Sequence, residues 1–159
     1  MKSSGLLHDG LALLAFLVLC FGVAGFGAQF RPGEWYARLA KPSWTPANRV
    51  FTPVWIVLYA MMAVAAWLVW SEAGLAGALL PLGLFAVQLA LNGIWSWLFF
   101  GLRRPDLALV DIVALWLAIA ATVVTFGSVS MVAAWVMLPY LAWVSFALLL
   151  NQSIWRLNR

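Results

Sequence analysis

The sequence predicts an all-α integral membrane protein, a bundle of five transmembrane helices with an aromatic loop between the first and second, in one domain over residues 1–159. Three observations carry this. Hydrophobic residues make up 66% of the chain and charged residues only 9%, too few to coat a water-soluble domain, which carries roughly 25%. The apolar residues form uncharged runs long enough to cross a hydrocarbon core, which takes about 20 helical residues. The basic residues then fall almost entirely on one side of a five-helix topology.

The first helix is expected near 8–29, where nothing is charged between Asp9 and Arg31. Its apolar run exceeds the roughly 7–15 residues of a signal-peptide core, so it reads as a retained span. The second, near 50–70, lies between Arg49 and Glu72. The next uncharged run, 73–102, is longer than one span needs, and Gly74, Gly77 and Pro81 place the third helix at 79–101. Nothing is charged from Asp111 to Arg156, which allows two spans. The polar turn from Phe126 to Ser130 divides them into helices near 106–126 and 131–154.

Five spans place Arg31, Arg38, Lys41, Arg49, Arg103, Arg104, Arg156 and Arg159 on one side, eight of the nine basic residues, and Lys2 on the other. The positive-inside rule then predicts an outside N-terminus and a cytoplasmic C-terminus. A bacterial cell membrane fits, with an outer membrane as the alternative. The net charge of +4 is too small and scattered for nucleic acid. One cysteine, Cys20, excludes a disulfide framework, and one histidine, His8, does not make a metal site. No Ser/His/Asp, Cys/His, paired-carboxylate or phosphate-loop motif is present, so no catalytic or metal-binding residues are assigned.

The stretch from Trp35 to Tyr59 begins as the one long polar interruption. It interleaves Trp35, Trp44 and Trp55 with Arg38, Lys41, Arg49 and three prolines. A solvated linker carries less aromatic surface, so this loop is expected to fold onto the membrane domain. Gln88, Asn92 and Ser96 recur every four residues on the third helix beside Trp95 and Phe99. This stripe reads either as a ligand pocket or as interhelical hydrogen bonding that holds the bundle. Tyr140, Trp143, Ala147 and Asn151 share a face of the fifth helix, and Trp55, Tyr59 and Met62 one of the second. Asp111, near Asp106, Arg103 and Arg104, is expected in an interfacial ion pair. Ala24/Ala28, Ala86/Ala90 and Ala114/Ala118 are small-residue pairs suited to close helix approach.

Five blocks then carry a resemblance: 35–46 (WYARLAKPSWTP), 51–59 (FTPVWIVLY), 88–101 (QLALNGIWSWLFFG), 108–111 (ALVD) and 139–151 (PYLAWVSFALLLN). In order and over the chain from about residue 10, they resemble the tryptophan-rich sensory protein family, the bacterial branch of the translocator protein (peripheral benzodiazepine receptor) family. The resemblance implies a homodimeric five-helix bundle in membrane lipid, whose first loop covers a cavity open to the cytosolic side. It implies binding of protoporphyrin IX or haem as a ligand rather than a required cofactor, and of isoquinoline or benzodiazepine drugs. The implied ligand residues are Trp35, Tyr36 and Trp44 on the lid, Trp55 and Tyr59 on the second helix, Gln88, Asn92, Trp95 and Phe99 on the third, and Tyr140, Trp143 and Ala147 on the fifth. Aromatic faces suit a flat macrocycle, and Arg38, Lys41 and Arg49 lie where its propionates would need cations.

The implied role is a sensor or regulator of porphyrin metabolism under oxidative or light stress. The rivals are a light- and oxygen-dependent porphyrin-degrading enzyme with Trp55 and Trp143 as the reactive pair, and a porphyrin or lipid transporter. Pro46-Ala47 stands where many members have two prolines. The sterol-recognition pattern is absent at Tyr140, because no basic residue follows until Arg156.

Overall fold

In the computed structural model, five helices are long and apolar enough to cross a membrane among the described residues. The backbone is described from Lys2 to Arg159 and side chains from Leu7 onward, so the side chain of Lys2 lies outside the described residues. The spanning helices are α1 (Lys2–Gly27), α3 (Asn48–Gly77), α4 (Leu79–Ser96, continued by a π turn at Trp97–Gly101), α5 (Pro105–Gly127) and α6 (Met131–Leu157). The short helix α2 (Glu34–Arg38) lies in the first loop. No strand occurs among the described residues, so the chain is an all-α, multi-pass membrane protein.

Helix ends follow local chemistry. α3 runs past residue 70, beyond the sequence-based expectation, because Glu72 finds a partner: the Ser130 hydroxyl donates to its carboxylate at 2.6 Å. Its regular course stops at Gly74, whose φ of 65° is open to glycine. One residue, Ala78, then joins α3 to α4. The tight turn before α5 puts Arg103 at φ 57°, a left-handed conformation uncommon outside glycine. Pro105 starts α5, where a missing N–H leaves no helical bond unmade. Pro53 and Pro139 lie inside α3 and α6, which membrane helices tolerate when neighbours cover the freed carbonyls.

The helices close a ring in the order α1, α3, α6, α5, α4. Met62, Phe85, Ile119, Met137 and Tyr140 fill its centre. Leu7, Leu11, Leu14 and Val18 leave much of α1 apolar and exposed, a surface for lipid. The C-terminal ends of α1, α4 and α6 and the N-terminal ends of α3 and α5 share one end of the bundle. That end carries the lid, the Arg103–Arg104 turn and Arg156, the eight-residue basic set.

Candidate ligand site

The implied ligand residues fall into three connected groups. The first is a buried hydrogen-bond chain across α3, α4 and α6. The Tyr59 hydroxyl donates to Asn92 Oδ1 at 2.8 Å. Asn92 Nδ2 donates to the Tyr140 hydroxyl at 2.7 Å, and that hydroxyl donates to Gln88 Oε1 at 2.8 Å. Gln88 Nε2 ends the chain on the Met62 sulfur at 3.7 Å. Each member donates to the next, which is how buried polar groups avoid a desolvation penalty. Ser96 leaves the stripe: it faces α1, where a side chain at Gly27 would meet its hydroxyl at 3.1 Å.

The second group is aromatic, at the α3–α6 seam. Trp55 and Trp143 meet edge to face, with centroids 6.5 Å apart and planes at 90°. Trp55 also meets Tyr59 at 5.7 Å and Tyr140 at 6.3 Å. Phe51 and Phe146 flank Trp143 at 5.9 and 5.5 Å, and Trp44 reaches in from the lid to Phe146 at 5.6 Å. Ala147 is half-buried beside them, against the core. Trp143 Nε1 is buried without a hydrogen-bond partner among the described residues. Indole N–H groups usually find an acceptor when buried.

The third group lies under α2. The π turn ends with Leu102 N–H donating to Trp97 O at 2.8 Å and leaves Phe99 buried and Phe100 half-buried. Trp95 stacks on Phe99 at 5.2 Å and donates its Nε1 to Asn151 Oδ1 at 3.0 Å. Trp35 meets Phe99 edge-on at 6.0 Å, and Tyr36 meets Phe100 at 5.5 Å. Burial raises the Tyr36 phenol above its ordinary pKa.

Two side chains fix the lid. Lys41 donates its ammonium to the carbonyls of Tyr36 (2.6 Å), Leu39 (3.0 Å) and Ala37 (3.3 Å), and stands 4.7 Å from the Tyr36 ring centroid. It therefore caps α2 rather than waiting for a propionate. Asn158, past the end of α6, bonds both backbone groups of Ala40. Asp111 also departs from expectation. Arg104 pairs with Asp106, at 2.8 and 2.6 Å, and that contact raises the Arg104 pKa. Asp111 instead turns into the bundle with Oδ2 buried and unpartnered among the described residues. Its place on the inner face of α5, with Ala108, Ile112 and Leu115, takes it away from the interfacial cations.

Phe51, Phe100, Phe146 and Asn158 belong to this architecture but were not singled out from the sequence as site residues. The phenylalanines carry no signal apart from other apolar residues, and Asn158 meets the lid only through a contact 118 residues away in sequence.

The sequence model of the TspO/MBR family matches residues 13–156. The chain is 47% identical to the human translocator protein over 137 residues, covering 83% of this chain and 81% of that protein. It is 42% identical to protein CrtK of Rhodobacter capsulatus over 147 residues, 90% of both chains. It is 43% identical to the tryptophan-rich protein TspO of Chlorobaculum tepidum over 153 residues, 93% of this chain and 95% of that one. Together with the five-helix bundle, these matches establish that the chain belongs to the TspO/MBR family of multi-pass membrane proteins.

Proposed function

We propose that this protein binds a tetrapyrrole, protoporphyrin IX or haem, and acts as a sensor or regulator of porphyrin metabolism under oxidative or light stress. The observation that carries the reading is Trp143: a half-buried indole in ring contact with Trp55, Phe51 and Phe146, its buried N–H without an acceptor among the described residues. An aromatic wall with one unspent donor suits a flat ligand that stacks and presents an acceptor edge. The polar chain behind it is already satisfied, so ligand contact at Asn92 requires exchanging one hydrogen bond for another. Arg38 and Arg49 are exposed at the lid end, where carboxylates of such a ligand would meet them. The same charge distribution supports a cytoplasmic C-terminus in a bacterial cell membrane. Exposed Ala86 and Ala90 on α4 suit a close homodimer contact.

The test is a titration of protoporphyrin IX into detergent-purified protein in the dark, followed by tryptophan quenching and porphyrin absorbance. Saturable binding is expected, weakened about tenfold in Trp143→Phe or Asn92→Ala, the loss of one good stacking or hydrogen-bond contact. Unchanged affinity in both variants overturns the site.

The contact between Trp55 and Trp143 favours one second reading, light- and oxygen-dependent degradation of the bound porphyrin. It predicts light-driven porphyrin loss that requires oxygen and is abolished by Trp55→Phe or Trp143→Phe. Equal bleaching with an unrelated membrane protein dismisses it.

A further inference from the structure

A cleft of about 440 Å³ opens at the basic end of the bundle, away from the α3–α6 seam. Its walls are Arg31 after α1, Glu34, Trp35 and Arg38 on α2, Phe100 in the π turn and Arg103 before α5. Glu34 and Arg38 pair at 3.1 Å across one helical turn, both exposed. Glu34 is the cleft's one carboxylate, and Arg38 offsets it. Arg31 spends only its Nε, on Ala28 O at 3.1 Å. The Arg103 guanidinium makes no hydrogen bond or ion pair among the described residues. The lining thus carries three cations against one anion, with the two uncompensated arginines on separate chain segments. The cleft begins where α1 and α4 end, so it sits at the level where the apolar surface gives way to water. Phe26, Trp97 and Leu102 are exposed at these helix ends, each more than two-fifths accessible.

We propose that this cleft is a site for the phosphate of an anionic phospholipid. The planar guanidinium forks of Arg31 and Arg103 match phosphate oxygens, charge-assisted and bidentate. The acyl chains would run down the exposed aromatic flank of α1 and α4. A phosphate carried by a lipid and a free phosphate offer these arginines the same oxygens. The lipid is favoured because the cationic walls stand directly beside a lipid-facing apolar surface. The cleft shares Trp35, Phe100 and Arg38 with the proposed tetrapyrrole site, but Arg31 and Arg103 are its own, so variants of these two test the cleft without testing that reading.

The experiment is native mass spectrometry of the full chain released from detergent, titrated with phosphatidylglycerol or phosphatidylcholine. Phosphatidylglycerol is expected to bind in preference. The double variant Arg31→Gln/Arg103→Gln should weaken it about thirtyfold, roughly fivefold per arginine lost. The variant Arg156→Gln/Arg159→Gln, which removes as much charge from the same end outside the cleft, should retain it. Equal binding of the two lipids, or equal losses in the two double variants, overturns the site. Displacement of the lipid by an equal concentration of inorganic phosphate also overturns the lipid assignment. If helical circular dichroism shows that the double variant does not fold, Arg31→Gln alone should lose about fivefold, and an unchanged affinity there refutes the proposal.

Discussion

Asn158 holds Ala40 by both of its backbone groups: its Oδ1 accepts the Ala40 N–H at 3.0 Å, and its Nδ2 donates to the Ala40 carbonyl at 2.9 Å. The same Nδ2 also donates to Ile154 O at 2.7 Å, so the amide is fixed to α6 as well as to the lid. This amide is a two-point latch between the end of the last helix and the loop that packs on Phe99, Phe100 and Phe146. Because α2 is only five residues long, it does not hold itself together. The lid depends on the latch, on the Lys41 cap and on the Tyr36 ring.

The latch sets the first prediction. Asn158→Ala should raise hydrogen exchange at the Ala40 amide about tenfold, as expected for losing two exposed hydrogen bonds of modest net worth. Protection as in the parent would mean that Lys41 and Tyr36 alone hold the lid.

Tyr140 both accepts and donates within the buried chain. Tyr140→Phe removes both bonds at once and should cost about 1–2 kcal/mol, at the upper end of interhelical bonds in membranes. Tyr59→Phe removes only the terminal donor and should cost less, roughly 0.6 kcal/mol. Thermal unfolding in one detergent compares the two. Equal losses would mean that the bonds are replaced locally.

Asp111 holds a buried carboxylate oxygen without a partner. Its neutral isostere removes the cost of a charge inside the bundle, so Asp111→Asn should stabilise the protein near pH 7 by about 1–2 kcal/mol. A lower melting temperature would show that the carboxylate is held by a contact stronger than its desolvation.

Gly101 closes the π turn against rings on two sides. A Cβ there would approach Phe30 Cδ1 and Trp97 Cδ1 at 3.0 Å. Overpacking of this kind costs about 1–3 kcal/mol. Gly101→Ala should therefore lower the melting temperature and disturb the neighbouring Phe99 and Phe100. Near-ultraviolet circular dichroism reads both, and an unaltered spectrum would show that Phe30 gives way freely.

Much of the fold was legible in the sequence because lipid is a strict solvent. A backbone with no water to bond must be helical, and a charge must find an end or a partner, so uncharged runs mark spans and arginines mark ends. The same rule accounts for the helix that overran its expected end: Glu72 lengthens α3 because Ser130 meets it. The polar residues of α4 were visible by their spacing, but spacing did not separate a pocket from bundle glue. The structure joins Gln88 and Asn92 to Tyr140 and sends Ser96 to α1. Asp111 was misplaced because a carboxylate one turn into a helix can rotate to either face, and only packing selects one.

By itself the sequence determined the solvent, the number of crossings, the basic end and the family, all properties of composition, order and short motifs. The tertiary structure decided which rings touch and which polar atoms are spent: Trp55 on Trp143, Lys41 on its own helix, Asn158 on Ala40, and Trp143 Nε1 on nothing. Those are contacts between segments far apart in the chain. Their geometry depends on helix rotation and on the π turn at Trp97–Gly101, which the periodicity of one helix does not encode.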